Sequence, residues 1–156
     1  QVVVITGGDN ALYTKLGKRI WHFPTLVNNY VTNIPDWMLS ADLLITKAGG
    51  LILSEGLAAG LPIVLINNLP GQEEGNVRYI LENNAGILAS TPAELIPILN
   101  SWLSNGQSNL NTIKDNSSRL GHPSAALSVS ESLWQASSSS AVSEPFTQPE
   151  IVGYLE

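Results

Sequence analysis

Up to about Leu120 the chain alternates short β-branched apolar runs with longer stretches of helical spacing. Val2–Thr6, Leu26–Val31, Asp42–Thr46, Ile63–Ile66 and Gly86–Ala89 read as strands. Asn10–Lys18, Leu51–Ala59, Glu73–Asn83 and Pro92–Leu103 read as helices between or after them. The unbroken runs Val2-Val3-Val4-Ile5 and Ile63-Val64-Leu65-Ile66 suit strands buried on both faces, since no polar alternation marks a solvent side. Strand–helix repetition at this spacing predicts right-handed βαβ units and a Rossmann-like α/β fold, a parallel sheet flanked by helices on both faces.

Local signals support these boundaries. Thr91-Pro92-Ala93-Glu94 supplies an N-cap, a first-turn proline and a capping-box glutamate. Gly60 followed by Leu61-Pro62 ends one helix and opens the next strand. Gly106–Ser118 is polar and compatible with a helix. Pro123–Gln135 predicts a last helix with Ala126, Leu127, Val129, Leu133 and Trp134 as its apolar positions. The serine run 137–140 is read as the end of ordered structure, so residues 1–135 form one domain and Ala136–Glu156 a flexible tail.

Composition narrows the function. Seven Lys and Arg against thirteen Asp and Glu give a net charge of −6, which cannot neutralise a row of phosphates and argues against nucleic acid as a partner. The chain has no cysteine, excluding disulfides, thiol catalysis and thiolate metal sites. Its two histidines, His22 and His122, are not at ligand spacing, and no metal site is expected. The longest apolar stretch, roughly Leu51 to Ile66, is broken by Glu55, Gly56, Gly60 and Pro62 and does not read as a membrane span. The start at Gln1, with neither initiator Met nor leader, reads as a piece of a longer protein.

Ligands of open parallel sheets bind at the carboxyl ends of the strands, which selects three loops. Thr6-Gly7-Gly8-Asp9-Asn10 offers glycine amides to an anion, or simply reverses the chain. Lys47-Ala48-Gly49-Gly50-Leu51-Ile52-Leu53-Ser54-Glu55 places paired glycines at a helix start, where amides and the helix dipole favour a diphosphate. Glu55 can accept hydrogen bonds from ribose hydroxyls, or it stabilises its own helix end. Leu69-Pro70-Gly71-Gln72-Glu73-Glu74-Gly75-Asn76 offers an amide and carboxylates to sugar hydroxyls, or makes a turn and an acidic helix start. Lys47 either reaches a phosphate or is solvated, and the four tryptophans read as packing residues.

Taken together, Asp42 to Gly50, Ser54-Glu55, Gly60-Leu61-Pro62, Pro70-Gly71-Gln72-Glu73 and Asn76 resemble one family. It is the C-terminal, donor-binding half of the monogalactosyldiacylglycerol synthase and processive diacylglycerol glucosyltransferase group, in glycosyltransferase family 28. The similarity extends through Asn29 to Pro35 and from Tyr79 to Gly86, covering about residues 1–105. The resemblance implies one half of a two-domain GT-B enzyme. Glu55 would hold the ribose and Gly49 and Gly50 the diphosphate. Gln72 and Glu73, within the element that also carries Gly71 and Asn76, would grip the sugar. Gly7 would line the cleft floor, and the base would rest near Val31. This sequence departs from the family at Gly8 and Asp9, at Ile52 where threonine is common, and at Asn29 and Ile34.

The implied activity is inverting transfer of a hexose from UDP-galactose or UDP-glucose, the only cofactor-like species, to a lipid acceptor such as diacylglycerol. The catalytic base and the lipid contact would lie in an absent N-terminal half. The whole protein would sit peripherally on the cytoplasmic face of a membrane. Two alternatives keep the fold: transfer of N-acetylglucosamine to a lipid-linked cell-wall precursor, and a non-catalytic UDP-sugar-binding subunit that needs a membrane partner.

Overall fold

In a computed structural model the protein is described over residues 1–66, 71–104 and 108–139. The elements run β1 (Val2–Ile5), α1 (Asn10–Gly17), β2 (Thr25–Asn28), α2 (Ile34–Leu39), β3 (Leu44–Thr46), α3 (Gly50–Ala58), β4 (Ile63–Leu65), α4 (Glu74–Glu82), β5 (Gly86–Leu88), α5 (Pro92–Ser104), α6 (Ser108–Leu120) and α7 (Ala125–Ser139). All strand pairs are parallel, so the predicted α/β class holds. The pairing is split, however: β1 bonds to β2, and β3, β4 and β5 form a separate ladder in that order.

The three-stranded ladder holds most of the core, and β4 sits at its centre. Ile63, Val64 and Leu65 are fully buried, as an unbroken apolar run in a sheet covered on both faces should be. Alternation divides them. Ile63 and Leu65 join Leu53 and Leu57 of α3 and Val77 and Ile80 of α4, whereas Val64 joins Trp102 of α5 and Leu110 of α6. The other unbroken run behaves differently. Val2 and Val3 of β1 remain 42% and 39% exposed, because β1 pairs with β2 alone and α1 buries no residue. The expectation that β1 is buried on both faces is therefore corrected.

Helix ends follow local chemistry. Gly60, at a φ of 68°, closes α3 with bonds from Gly60 N to Leu57 O and from Leu61 N to Gly56 O, the paired reverse bonds of a Schellman end. Asn84, at 51°, closes α4 in the same way through Ala85 N to Ile80 O. The polar face of α6 then holds this second turn, Ser117 Oγ donating to Ala85 O and Asn116 Nδ2 to Asn84 O. At the start of α5, Glu94 N donates to Thr91 Oγ1 as a capping box predicts, while the Glu94 carboxylate accepts from Ser90 N, one residue before the expected N–H of Thr91.

Two differences from the sequence reading stand out. The short helix α2 was not foreseen, although Pro35 and Asp36 in its first turn are start signals. The predicted tail begins too early, because residues 136–139 continue α7. Serines there do not break the helix: the Ser137 and Ser138 hydroxyls both donate to the carbonyl of Trp134, and Ser128, Ser130 and Ser132 bond back one turn in the same way. Residues 140–156 lie outside the described part. Contacts divide the chain into a unit of Gln1–Gly121 and a second unit beginning at His122, whose described helix is α7. On α7, Leu127, Leu133 and Trp134 are exposed, so Trp134 is not the packing residue expected, while Trp102 is.

Candidate functional site

Two of the three selected loops are fastened to each other. Lys47, just past β3, places Nζ 3.0 Å from Oε1 of Glu73, the N-cap of α4. Glu73 is 5% exposed, and a carboxylate that deeply buried requires a cationic partner. Lys47 is therefore neither merely solvated nor aimed at open space. A second link lies beside it: Asn76 Nδ2 donates to Ala48 O at 2.8 Å. A Cβ on Gly50 would lie 3.7 Å from that same Asn76 Nδ2, and one on Gly49 3.8 Å from Lys47 Nζ. Gly49, Gly50, Glu73 and Asn76 thus form one cluster at the carboxyl ends of β3 and β4.

The first amides of α3 face this cluster with Gly49 as N-cap, which offers no side-chain acceptor. Such uncapped amides, with the positive end of the helix dipole, suit a phosphate. Glu55 is the sixth residue of α3, and no acid occupies its first turn, so stabilising its own helix end does not explain this carboxylate. It is half-buried; its backbone carbonyl accepts from Ala59 N at the end of α3, while its carboxylate has no hydrogen-bond or ion-pair partner among the described residues. Helical side chains lean toward the N-terminus, which brings Glu55 back toward the glycine loop.

The other residues divide. Gly71, at a φ of 79°, donates its N–H to Glu74 Oε1 at 3.0 Å, so Glu74 shapes the turn before α4, while Gln72 is exposed. Leu69 and Pro70 of this loop lie outside the described residues. Gly7 and Val31 follow β1 and β2, on the other ladder, and no hydrogen bond among the described residues joins them to the cluster. Gly7 has a φ of 65° and donates its N–H to Asn29 O at 3.2 Å. Asp9, a departure from the family pattern, caps α1 by accepting from Leu12 N at 2.9 Å.

Sequence reasoning missed both fastenings and one small network: Thr6 Oγ1 donates to Asn29 Oδ1, and Asn29 Nδ2 to Asn10 Oδ1. The sequence offered only opposite charges in the loops that follow consecutive strands, with nothing to pair them before the register of β3 on β4 is known. Among the described residues no group of acids and histidines could hold a metal ion, and no helix is long and apolar enough to cross a membrane.

Comparison with known proteins bears on the family and the fold of the chain. Residues 1–129 match the family model of the glycosyltransferase family 28 C-terminal domain. Monogalactosyldiacylglycerol synthase 3, chloroplastic, of Arabidopsis thaliana is 36% identical over 129 residues, covering 83% of this chain and 28% of the relative. The probable monogalactosyldiacylglycerol synthase of Nicotiana tabacum is 35% identical, over 83% of this chain and 24% of the relative. The chain thus spans about a quarter of the length of the curated relatives it matches. Among solved structures, the glycotransferase of kitacinnamycin superposes with a TM-score of 0.52 at 14% identity, covering 85% of this chain and 43% of that one. The glycosyltransferase SnogD from Streptomyces nogalater gives 0.50 at 19% identity, covering 84% and 33%. At such identities these two establish a shared fold.

Proposed function

The chain belongs to the glycosyltransferase family 28 C-terminal domain family, and from that premise we propose that it holds the UDP-sugar donor for inverting transfer of a hexose to diacylglycerol. The relatives named as monogalactosyldiacylglycerol synthases favour a galactose donor and a lipid acceptor. The donor lies along the carboxyl ends of the strands. Glu55 takes the ribose hydroxyls, the amides of Gly49 and Gly50 and the start of α3 take the diphosphate, and Gln72, Glu73 and Asn76 take the hexose. Gly71 sets the turn that presents them, while Gly7 and the backbone near Val31 receive the floor of the site and the base.

The observation that carries this reading is the fastening of the β3 and β4 loops at the start of α3, the helix that also carries Glu55, a half-buried residue whose carboxylate has no partner among the described residues. Fixed donors aimed at a leaving diphosphate stabilise the charge that develops as the glycosidic bond breaks. Activation of the acceptor hydroxyl requires a general base, which this reading assigns to a second domain of the whole protein. That domain would also carry the contact with the cytoplasmic face of a membrane.

Calorimetric titration with UDP, UDP-galactose, UDP-glucose and UDP-N-acetylglucosamine tests the reading. UDP should bind saturably, and Glu55→Ala should weaken it about tenfold, equivalent to about 1.4 kcal/mol. A folded protein that does not bind UDP, or binds it equally well without Glu55, refutes the assignment.

A further inference from the structure

The ion pair between Lys47 and Glu73 has a one-sided burial. The Glu73 side chain is 7% exposed and that of Lys47 is 62% exposed. An exposed ammonium reaching down to a buried carboxylate is a clamp on the acid, since the acid cannot turn without losing its counter-charge. The same ammonium lies beside the Gly49 position, which makes a phosphate contact the competing use for it.

We propose that Lys47 is a positioning residue: it fixes the carboxylate of Glu73 for the hexose and thereby sets the preference of the site for a UDP-hexose over UDP, without gripping the nucleotide. This rests on the donor reading given above. The geometry gives three reasons. Nζ already lies 3.0 Å from Oε1 of Glu73, a full charge-assisted bond with no room for a bridging water. The bond spans 26 residues and joins two loops, so it orients one against the other. Asn76 repeats the connection through Ala48 O, which keeps the loops together when Lys47 is changed and confines the loss to the carboxylate.

The test is calorimetry with UDP and UDP-galactose on Lys47→Met, Lys47→Arg, Glu73→Gln and the double variant Lys47→Met with Glu73→Gln. Lys47→Met should leave UDP affinity within about twofold and lower the ratio of UDP-galactose to UDP affinity roughly tenfold, as for loss of a hydrogen bond to a charged group. Lys47→Arg should restore most of that ratio. In the Glu73→Gln background, removing Lys47 should have no further effect on it, because a neutral amide needs no counter-charge. Equal weakening of UDP and UDP-galactose by Lys47→Met would make Lys47 a phosphate ligand and overturn the proposal. An unchanged ratio would reduce the pair to a structural one and overturn it too. Absence of UDP binding by the unaltered protein would instead refute the donor reading on which it stands.

Discussion

Gly86→Ala isolates how closely β4 and β5 approach. The parallel register sets Gly86 against Ile63, and Ile63 N donates to the neighbouring Ala85 O at 3.2 Å. A Cβ at position 86 would overlap the carbonyl oxygen of Ile63 and come within 3.0 Å of its carbon and 2.8 Å of Ile80 Cγ2. Two of these three contacts are backbone in the central strand, which cannot retreat without opening the ladder. Overpacking of this kind costs about 1–3 kcal/mol, and the backbone contacts put it at about 3. With a urea m-value of about 2 kcal/mol/M, the midpoint should fall by about 1.5 M at constant slope. Gly17→Ala is the control, because a Cβ there meets nothing within 4 Å and the residue is helical. It should gain about 0.5 kcal/mol from propensity and unfolded-chain entropy. Far-ultraviolet circular dichroism during urea unfolding reads both. A midpoint for Gly86→Ala equal to that of the unaltered protein would show that the close approach is not real.

Ile80→Ala empties a fully buried position shared by α4 and β4 and should cost about 3 kcal/mol by the same assay. Asp9→Ala removes the cap on α1 and should cost about 1 kcal/mol, read as a lower thermal midpoint. Trp134→Ser alters a side chain 74% exposed on α7 and should change the unfolding free energy of the protein by less than about 0.5 kcal/mol.

Strand and helix positions were legible wherever the pattern was local. Apolar runs bounded by glycine or proline located all five strands to within a few residues, and the Thr91–Glu94 box marked its helix start. What the sequence concealed was non-local. The runs Val2–Ile5 and Ile63–Ile66 look alike, yet Val2 and Val3 stay exposed while Ile63, Val64 and Leu65 are wholly buried and only Ile66, past the end of β4, is exposed, because burial depends on what packs over a strand. The serine run after Trp134 read as a break, but the hydroxyls of Ser137 and Ser138 satisfy themselves on the helix backbone. At the site, loop positions and glycines followed from the strand ends, whereas the Lys47–Glu73 pairing needed the register of β3 on β4. The role of Asp9 was equally hidden, since in the sequence it reads only as a departure from the family pattern, whereas in the structure it caps α1.

The split between the two ladders bears on how the protein breathes. Every buried apolar residue among those described, Met38 apart, lies from Ala48 onward, and β1 and β2 bond to each other but not to β3. Segments with few buried contacts open at lower free energy than the core that carries global stability. Amides of β1 and β2 should therefore exchange with deuterated solvent through openings that leave β4 closed. The proposed donor positions fall on both sides of this divide, Gly7 and Val31 on one and Gly49 through Asn76 on the other. A nucleotide touching both would act as a rivet between two cooperative blocks, slowing exchange at Val4 and Val27 well beyond the residues it contacts.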